Sequence, residues 1–406
     1  MLQRIPVRIR IPLLAGATAF LVHVVCNPHY GFFGDELYFI VCGQHPQWNY
    51  VDQPPIAPVL AAASQMFGPS LVLLRAVPAL FAGAGIYVTC LIVLELGGAA
   101  YAQILSAIVV FFLPVLTDFG MKVSPDMVGL WSWPLLTLWI VRLTKGADSR
   151  LWIAIGVLMG VSILSKYSVL FFAAALLAGL LLTPERRILR SRWFVVGTLI
   201  SAIIALPSFL WQVHHGYPML ELLRAVQHGK NVIVGPLGYL GQQLLISGFL
   251  WPFWIIGLIW LFFRPALRFL AYGYVLLIAI MIVQHGKHYY PADAYPYLIA
   301  AGCVQVEAWN SELRRVRTVI AATAILLGLV FVPVVMPVLP ETWLASYYTD
   351  LHSFLHISRE NIETEHRVYP QIPTDFASMH GWPELTAIVT RVYEDLPPAD
   401  RKQAVV

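Results

Sequence analysis

Apolar residues in this chain fall in blocks too long for strands, separated by short polar interruptions. Eleven such runs can be traced, at about 11–26, 71–94, 100–116, 127–143, 151–164, 168–182, 194–211, 240–262, 269–283, 291–306 and 318–337. A span needs roughly 20 apolar residues to cross hydrocarbon. Backbone groups in lipid must be satisfied within the segment, and these runs lack the alternation of barrel strands. The pattern therefore predicts an all-α polytopic membrane protein with about eleven transmembrane helices. Ser165, Lys166, Tyr167 and Ser168 interrupt the block 151–182, which predicts two half-length helices meeting at a polar break.

Two segments lie outside this pattern. Residues 27–70 form a long connection after the first run, and 340–406 form a less apolar tail with expected helices at 345–357 and 383–395. The division expected is a transmembrane domain, 1–339, and a small extramembrane cap, 340–406. No tandem repeat or low-complexity segment is visible.

Arginine and lysine in the short loops set orientation. Clusters at Arg4, Arg8 and Arg10, at Arg142, Lys145 and Arg150, and at Arg186, Arg187, Arg190 and Arg192 alternate with connections poorer in basic residues. Arg264 and Arg268, then Arg314, Arg315 and Arg317, continue the alternation. All five can share the cytoplasmic face, which puts 27–70, 117–126, 212–239, 284–290 and the tail outside. The first run follows a charged start without a small-residue cleavage site and is expected to be a retained span.

Composition agrees. Hydrophobic residues make up 59% and charged residues only 12%, against about a quarter charged in soluble domains. A net charge of +4 without a basic tract interleaved with aromatics excludes nucleic acid as a partner. Cys26, Cys42, Cys90 and Cys303 lack CxxC spacing; Cys26 and Cys42 either pair or stand as small apolar residues.

Candidate chemistry collects on the outer side. The first outer loop holds Asp35, Glu36 and Tyr38, then His45, Trp48, Asn49 and Tyr50, then Asp52 and Gln53. Adjacent carboxylates repel, so one of them suits a general base; an acidic helix cap is the plain alternative. Asp126 opens the fourth run, where it either caps a helix or joins a site. Lys166 in the polar break should meet an anion, a protein carboxylate or a ligand phosphate. Lys287, His288, Tyr289 and Tyr290 gather the densest set of phosphate-competent donors, or else an interfacial aromatic belt. His214, His215, Glu221, Arg224, His228 and Lys230 follow the seventh run without a fixed metal-ligand register. Acids and cations converging on one membrane face suit transfer of a sugar from a lipid phosphate: a carboxylate takes the acceptor proton, and cations stabilise the leaving phosphate.

The order of these motifs resembles a known family. Gly34-Asp35-Glu36-Leu37-Tyr38 followed by Trp48-Asn49-Tyr50-Val51-Asp52-Gln53-Pro54-Pro55 is similar to the first outer loop of glycosyltransferase family 39, the protein O-mannosyltransferases and aminoarabinose-transferase-like enzymes. Ser124-Pro125-Asp126, Leu164-Ser165-Lys166-Tyr167 and Lys287-His288-Tyr289-Tyr290-Pro291 resemble later motifs of that family, in order, over about residues 10–310. The resemblance implies a membrane C-type glycosyltransferase fold and inverting transfer from a polyprenyl-phosphate sugar to an acceptor glycan, lipid or protein. The active site would face the outside of the cytoplasmic (inner) membrane. It further implies Asp35 nearest the reaction with Glu36 and Asp126 in support, and a donor site drawn from Tyr38, Tyr50, Asp52, Gln53, Lys166, Tyr167, Lys287, His288 and Tyr290. Gln53 stands where some members carry a phosphate-contacting lysine. Relatives sharing the fold differ in metal need, which leaves a divalent cofactor open, and the large soluble outer domains of some relatives are missing. A transporter or flippase for a lipid-linked or anionic substrate would use the same outer cations. It also predicts mid-span charges, whereas Arg75, Glu95 and Glu307 lie near run ends.

Overall fold

The computed structural model describes residues 7–229, 234–310, 312–356 and 371–404. Among these residues the regular structure is helical. In chain order the helices are α1 (Val7–Cys26), α2 (Gly34–Gln44), α3 (Ile56–Ser64), α4 (Leu71–Glu95), α5 (Ala100–Phe112), α6 (Pro114–Phe119) and α7 (Gly129–Thr144). They continue with α8 (Leu151–Ile163), α9 (Val169–Leu181), α10 (Arg192–His214), α11 (Pro218–Gly229), α12 (Pro236–Leu245), α13 (Trp251–Phe262) and α14 (Arg268–Val283). The remainder are α15 (Tyr295–Trp309), α16 (Arg314–Leu329), α17 (Val332–Val335), α18 (Glu341–Leu355), α19 (Thr374–Ala377), α20 (Trp382–Asp395) and α21 (Pro398–Arg401).

Each of the eleven apolar runs contains a helix, and the block 151–182 divides into α8 and α9 around the polar break as expected. Some runs depart from a simple span: α12 meets α13 at 104°, so 240–262 is bent rather than straight, and 100–116 is broken at Leu113 between α5 and α6. By length and composition, three helices suffice to cross a membrane alone, Ile9–Cys26, Leu71–Glu95 and Arg192–His214, or up to five with the bent pairs counted.

Glycines bring neighbouring helices together. A Cβ on Gly16 of α1 would lie 2.6 Å from the Gly83 carbonyl of α4, and one on Gly302 of α15 would lie 1.9 Å from the Phe253 carbonyl of α13. Helices dissolved in lipid gain little from burying apolar surface against each other, so close backbone packing has to hold them together.

Hydrogen bonds sort the helix ends into two layers. In one, Glu95 at the end of α4 pairs with Arg142 and Lys145 at the end of α7. In the same layer Arg187 donates to the Thr144 carbonyl, and Glu307 accepts from the Ala99 amide at 2.6 Å. The opposite layer joins Asn27 to the Gly120 carbonyl, the Ile56 amide to the Leu164 carbonyl, and Gln243 to the His288 carbonyl. α8 thus runs from the arginine-rich layer to the acidic-loop layer and α9 returns, the hairpin that the charge pattern requires.

The tail helices α18 and α20 fall on the expected stretches. Phe376, Met379 and Leu344 are buried in one cluster with Met121, against Tyr30 and Phe33 of the first long loop. The C-terminal segment therefore packs on the acidic-loop layer. All four cysteines are free, so Cys26 and Cys42 do not pair.

Candidate active site

The long loop is folded around one guanidinium. Arg75, near the start of α4, is fully buried, and its Nη2 lies 2.9 Å from Glu36 Oε2. Its Nε donates to Glu36, Nη1 to the Asn27 and His29 carbonyls, and Nη2 to the Gly31 carbonyl at 2.8 Å. A buried charge without partners is prohibitively costly, so residues 27–36 wrap to supply them. Glu36 also accepts from the Phe33 amide at 2.9 Å and the Val123 amide at 3.1 Å, tying α2 to the stretch that precedes Asp126. Asp35, one position earlier, lies on the exposed side of α2. The two adjacent acids thus have opposite environments. Glu36, read from the sequence as support for the base, is instead enclosed and engaged at both oxygens. The physical reason is Arg75, which appeared in the sequence only as a charge near a run end.

A second constellation centres on Lys166 in the break between α8 and α9. Its Nζ lies 2.5 Å from Asp126 Oδ1, 4.3 Å from the Tyr290 ring centroid and 5.1 Å from that of Tyr289. Burial works against the ammonium charge, but Asp126 and Tyr290 more than offset it, so Lys166 is held charged. Ser165 Oγ donates to the Pro125 carbonyl, and the Leu164 carbonyl accepts from Ile56 at the end of the Asp52-Gln53-Pro54-Pro55 stretch. Asn49 donates to the Tyr167 hydroxyl at 2.6 Å, and that hydroxyl also meets Ser208 on α10. Four segments far apart in sequence, 49–56, 124–126, 164–167 and 287–293, therefore meet around one lysine.

Within this junction Gln53 is buried and neither atom of its amide has a hydrogen-bond partner. Asp293, which the sequence reading passed over, lies buried with Oδ1 unpartnered, and a Cβ on Gly129 would stand 1.9 Å from its Oδ2. Asp126 and Lys166 are charged neighbours of the Asp293 carboxyl. Its only sequence signal was an acid two residues past the Lys287-to-Pro291 motif.

The remaining candidates separate. Tyr38 donates to Asp52 at 2.8 Å, both exposed. Tyr50 is buried and donates to the Cys42 carbonyl at 2.8 Å, which makes it a brace of the loop. Lys287 is partly buried, 6.0 Å from the Tyr289 ring centroid. His288, read as one of the phosphate-holding cations, is buried and pushed down to about 4, first by burial and then by Lys287. It is neutral at pH 7, and its contribution is limited to hydrogen bonding. His215 bonds the Trp211 carbonyl and stacks on that indole; Lys230 and the side chain of His228 lie outside the described residues. Among the described residues no three His, Cys, Asp or Glu side chains are grouped to hold a metal.

A third cluster links the tail to this face. Lys122 Nζ lies 2.5 Å from Asp118 and 2.7 Å from Asp375, with the Phe33 ring centroid at 5.4 Å. The sequence reading did not single out these residues: Asp118 and Lys122 stand four apart on the chain, while the third partner, Asp375, has no local signature.

The family model for dolichyl-phosphate-mannose-protein mannosyltransferase matches residues 52–211. The structure superposes on ArnT from Cupriavidus metallidurans bound to undecaprenyl phosphate with a TM-score of 0.63 at 16% identity, covering 95% of this chain and 80% of that one. The apo state of the same protein gives 0.64 at 14% identity, with the same coverage. This chain has the membrane C-type glycosyltransferase fold. The family-model match supports the resemblance to glycosyltransferase family 39 over residues 52–211. A curated relative, the lipid A galacturonosyltransferase RgtD of Rhizobium johnstonii, is 25% identical over 57% of this chain and 49% of its own length. The match thus spans about half of that relative. Within the C-type fold, the stretch matched by the family carries Asp52, Gln53, Asp126, Lys166 and Tyr167. It begins after Asp35 and ends before Lys287.

Proposed function

We propose that this chain transfers a sugar from a polyprenyl-phosphate donor to an acceptor glycan, lipid or protein, with inversion at the anomeric carbon. The site would lie on the outer face of the cytoplasmic membrane, opposite the arginine-rich layer. The observation that carries this reading is the junction at Lys166. A charged ammonium has three donors, and Asp126 occupies one direction, which leaves others for a phosphate oxygen. Lys287 adds a second cation on the same layer.

In the proposed reaction an acceptor hydroxyl attacks the anomeric carbon as the carbon–oxygen bond to phosphate breaks. The hydroxyl proton passes to Asp35, and the polyprenyl phosphate departs with its charge stabilised by Lys166 and Lys287. Glu36 and Arg75 position Asp35 without touching substrate, and Asp126 aims Lys166. ArnT, whose fold this chain shares, has been crystallised with undecaprenyl phosphate, and RgtD is named for galacturonosyl transfer to lipid A. The first favours a lipid-phosphate donor, and the second a lipid or glycan acceptor.

The test is Asp35→Asn in proteoliposomes supplied with a polyprenyl-phosphate sugar. Removing a general base lowers turnover by about 10²–10⁴-fold, and near-normal turnover would refute the assignment. Counterflow of labelled substrate without any covalent product would replace this reading with transport.

A further inference from the structure

The amides at the start of an α-helix need acceptors, usually from a Ser, Thr, Asp or Asn side chain at the N-cap. α2, which carries Asp35 at its second position, has Phe33 at that place and no local side-chain cap. Glu36 takes the Phe33 amide but is otherwise spent on Arg75 and Val123. The Gly34 amide is met from the other end of the chain, by Ser378 Oγ at 3.2 Å.

The segment carrying Ser378 is built for this contact. Its carbonyl accepts from Trp382 Nε1 at 2.9 Å, and the Trp382 ring would lie 3.2 Å from a Cβ on Gly34. A Cβ on Gly31 would sit 2.1 Å from the Met379 carbonyl, so both loop glycines are places where a side chain would push the tail away. Asp375 pairs with Lys122 and Met379 Sδ lies 3.6 Å from Arg75 Nη2, fixing the segment on either side.

We infer that Ser378 is a positioning residue for Asp35: by capping α2 across the fold, the C-terminal segment sets the direction of the proposed base. This rests on the transferase reading above. The cap holds an angle and binds no lipid, so its loss falls on turnover and leaves donor affinity alone.

The experiment compares wild type, Asp35→Asn, Ser378→Ala and Ser378→Thr, full length in proteoliposomes, with a polyprenyl-phosphate sugar. A lost N-cap corresponds to about a fivefold effect. Ser378→Ala is expected to lower kcat per folded molecule about fivefold with the donor KM unchanged, and Ser378→Thr, which restores the hydroxyl, to recover most of it. Folded protein is counted by size exclusion. Unchanged kcat in Ser378→Ala, a loss confined to the folded fraction, or a Thr variant no better than Ala overturns the inference while leaving the transferase reading intact. A wild type that transfers no sugar removes both.

Discussion

Arg75→Met tests whether the first outer loop is held by a buried guanidinium. Methionine fills much of the same volume but deletes the donors to Glu36, Asn27, His29 and Gly31. It leaves the Glu36 carboxylate enclosed with only the Phe33 and Val123 amides. Deleting one partner of a buried pair costs about 3–5 kcal/mol. Three carbonyls also lose a donor, on the order of 1 kcal/mol each. The sum, about 6–8 kcal/mol, is a ceiling because the contacts share one site, yet it approaches the whole net stability of a typical protein. Glu36→Gln is milder: the amide oxygen still accepts from Phe33 or Val123 and the guanidinium keeps its carbonyls, so roughly 3 kcal/mol is expected. Equilibrium unfolding of the detergent-solubilised variants, with protease sensitivity of residues 27–36, reads the difference. Should Arg75→Met be no less stable than Glu36→Gln, the loop is not organised by the guanidinium and the account of Glu36 as a positioning group fails.

Three further outcomes follow from the same geometry. Lys166→Met removes the proposed charge-assisted contact to the donor phosphate, so kcat/KM for a polyprenyl-phosphate sugar is expected to fall about 10- to 100-fold; an unchanged value would place the phosphate elsewhere. Gly129→Ala drives a methyl into Asp293 Oδ2 and should cost about 1–3 kcal/mol in the same unfolding assay. Adding Asp293→Ala should restore most of it, and a lack of rescue would show that the clash lies elsewhere. Burial lifts the Asp118 carboxyl from 3.8 to about 6, with Lys122 pulling against it. The folded chain then holds a proton that the unfolded chain has released, so this group's contribution to stability falls as pH rises from about 4 to about 6. Asp118→Asn should flatten that slope, and an unchanged slope would assign it to another group.

Much of the fold was legible because a bilayer makes simple demands on sequence. Continuous apolar runs, interrupted at Lys166 and bounded by arginines, sufficed for the helices, the α8–α9 break and the two layers of helix ends. The bend between α12 and α13 was not read from the sequence, since Gln242, Gln243 and Ser247 are uncharged and too few to interrupt the run 240–262 as Lys166 interrupts its own block. The motifs at Asp126, Lys166 and Tyr290 could be ordered along the chain, and the structure brings them into contact.

What the sequence could not assign was which of two neighbouring groups faces inward. Asp35 and Glu36 look alike in a string; Arg75, some forty residues on, encloses one and leaves the other exposed. His288 looked like a cation until burial beside Lys287 made it neutral. Lys122 with Asp375, and Ser378 on the Gly34 amide, carry no local pattern at all, and Asp293 has only its place two residues past the Lys287-to-Pro291 motif. Spans are written by the cost of putting polar groups in lipid, which acts residue by residue, whereas the partners of a buried charge or an uncapped helix are set by which distant segments the packed helices bring within hydrogen-bond reach.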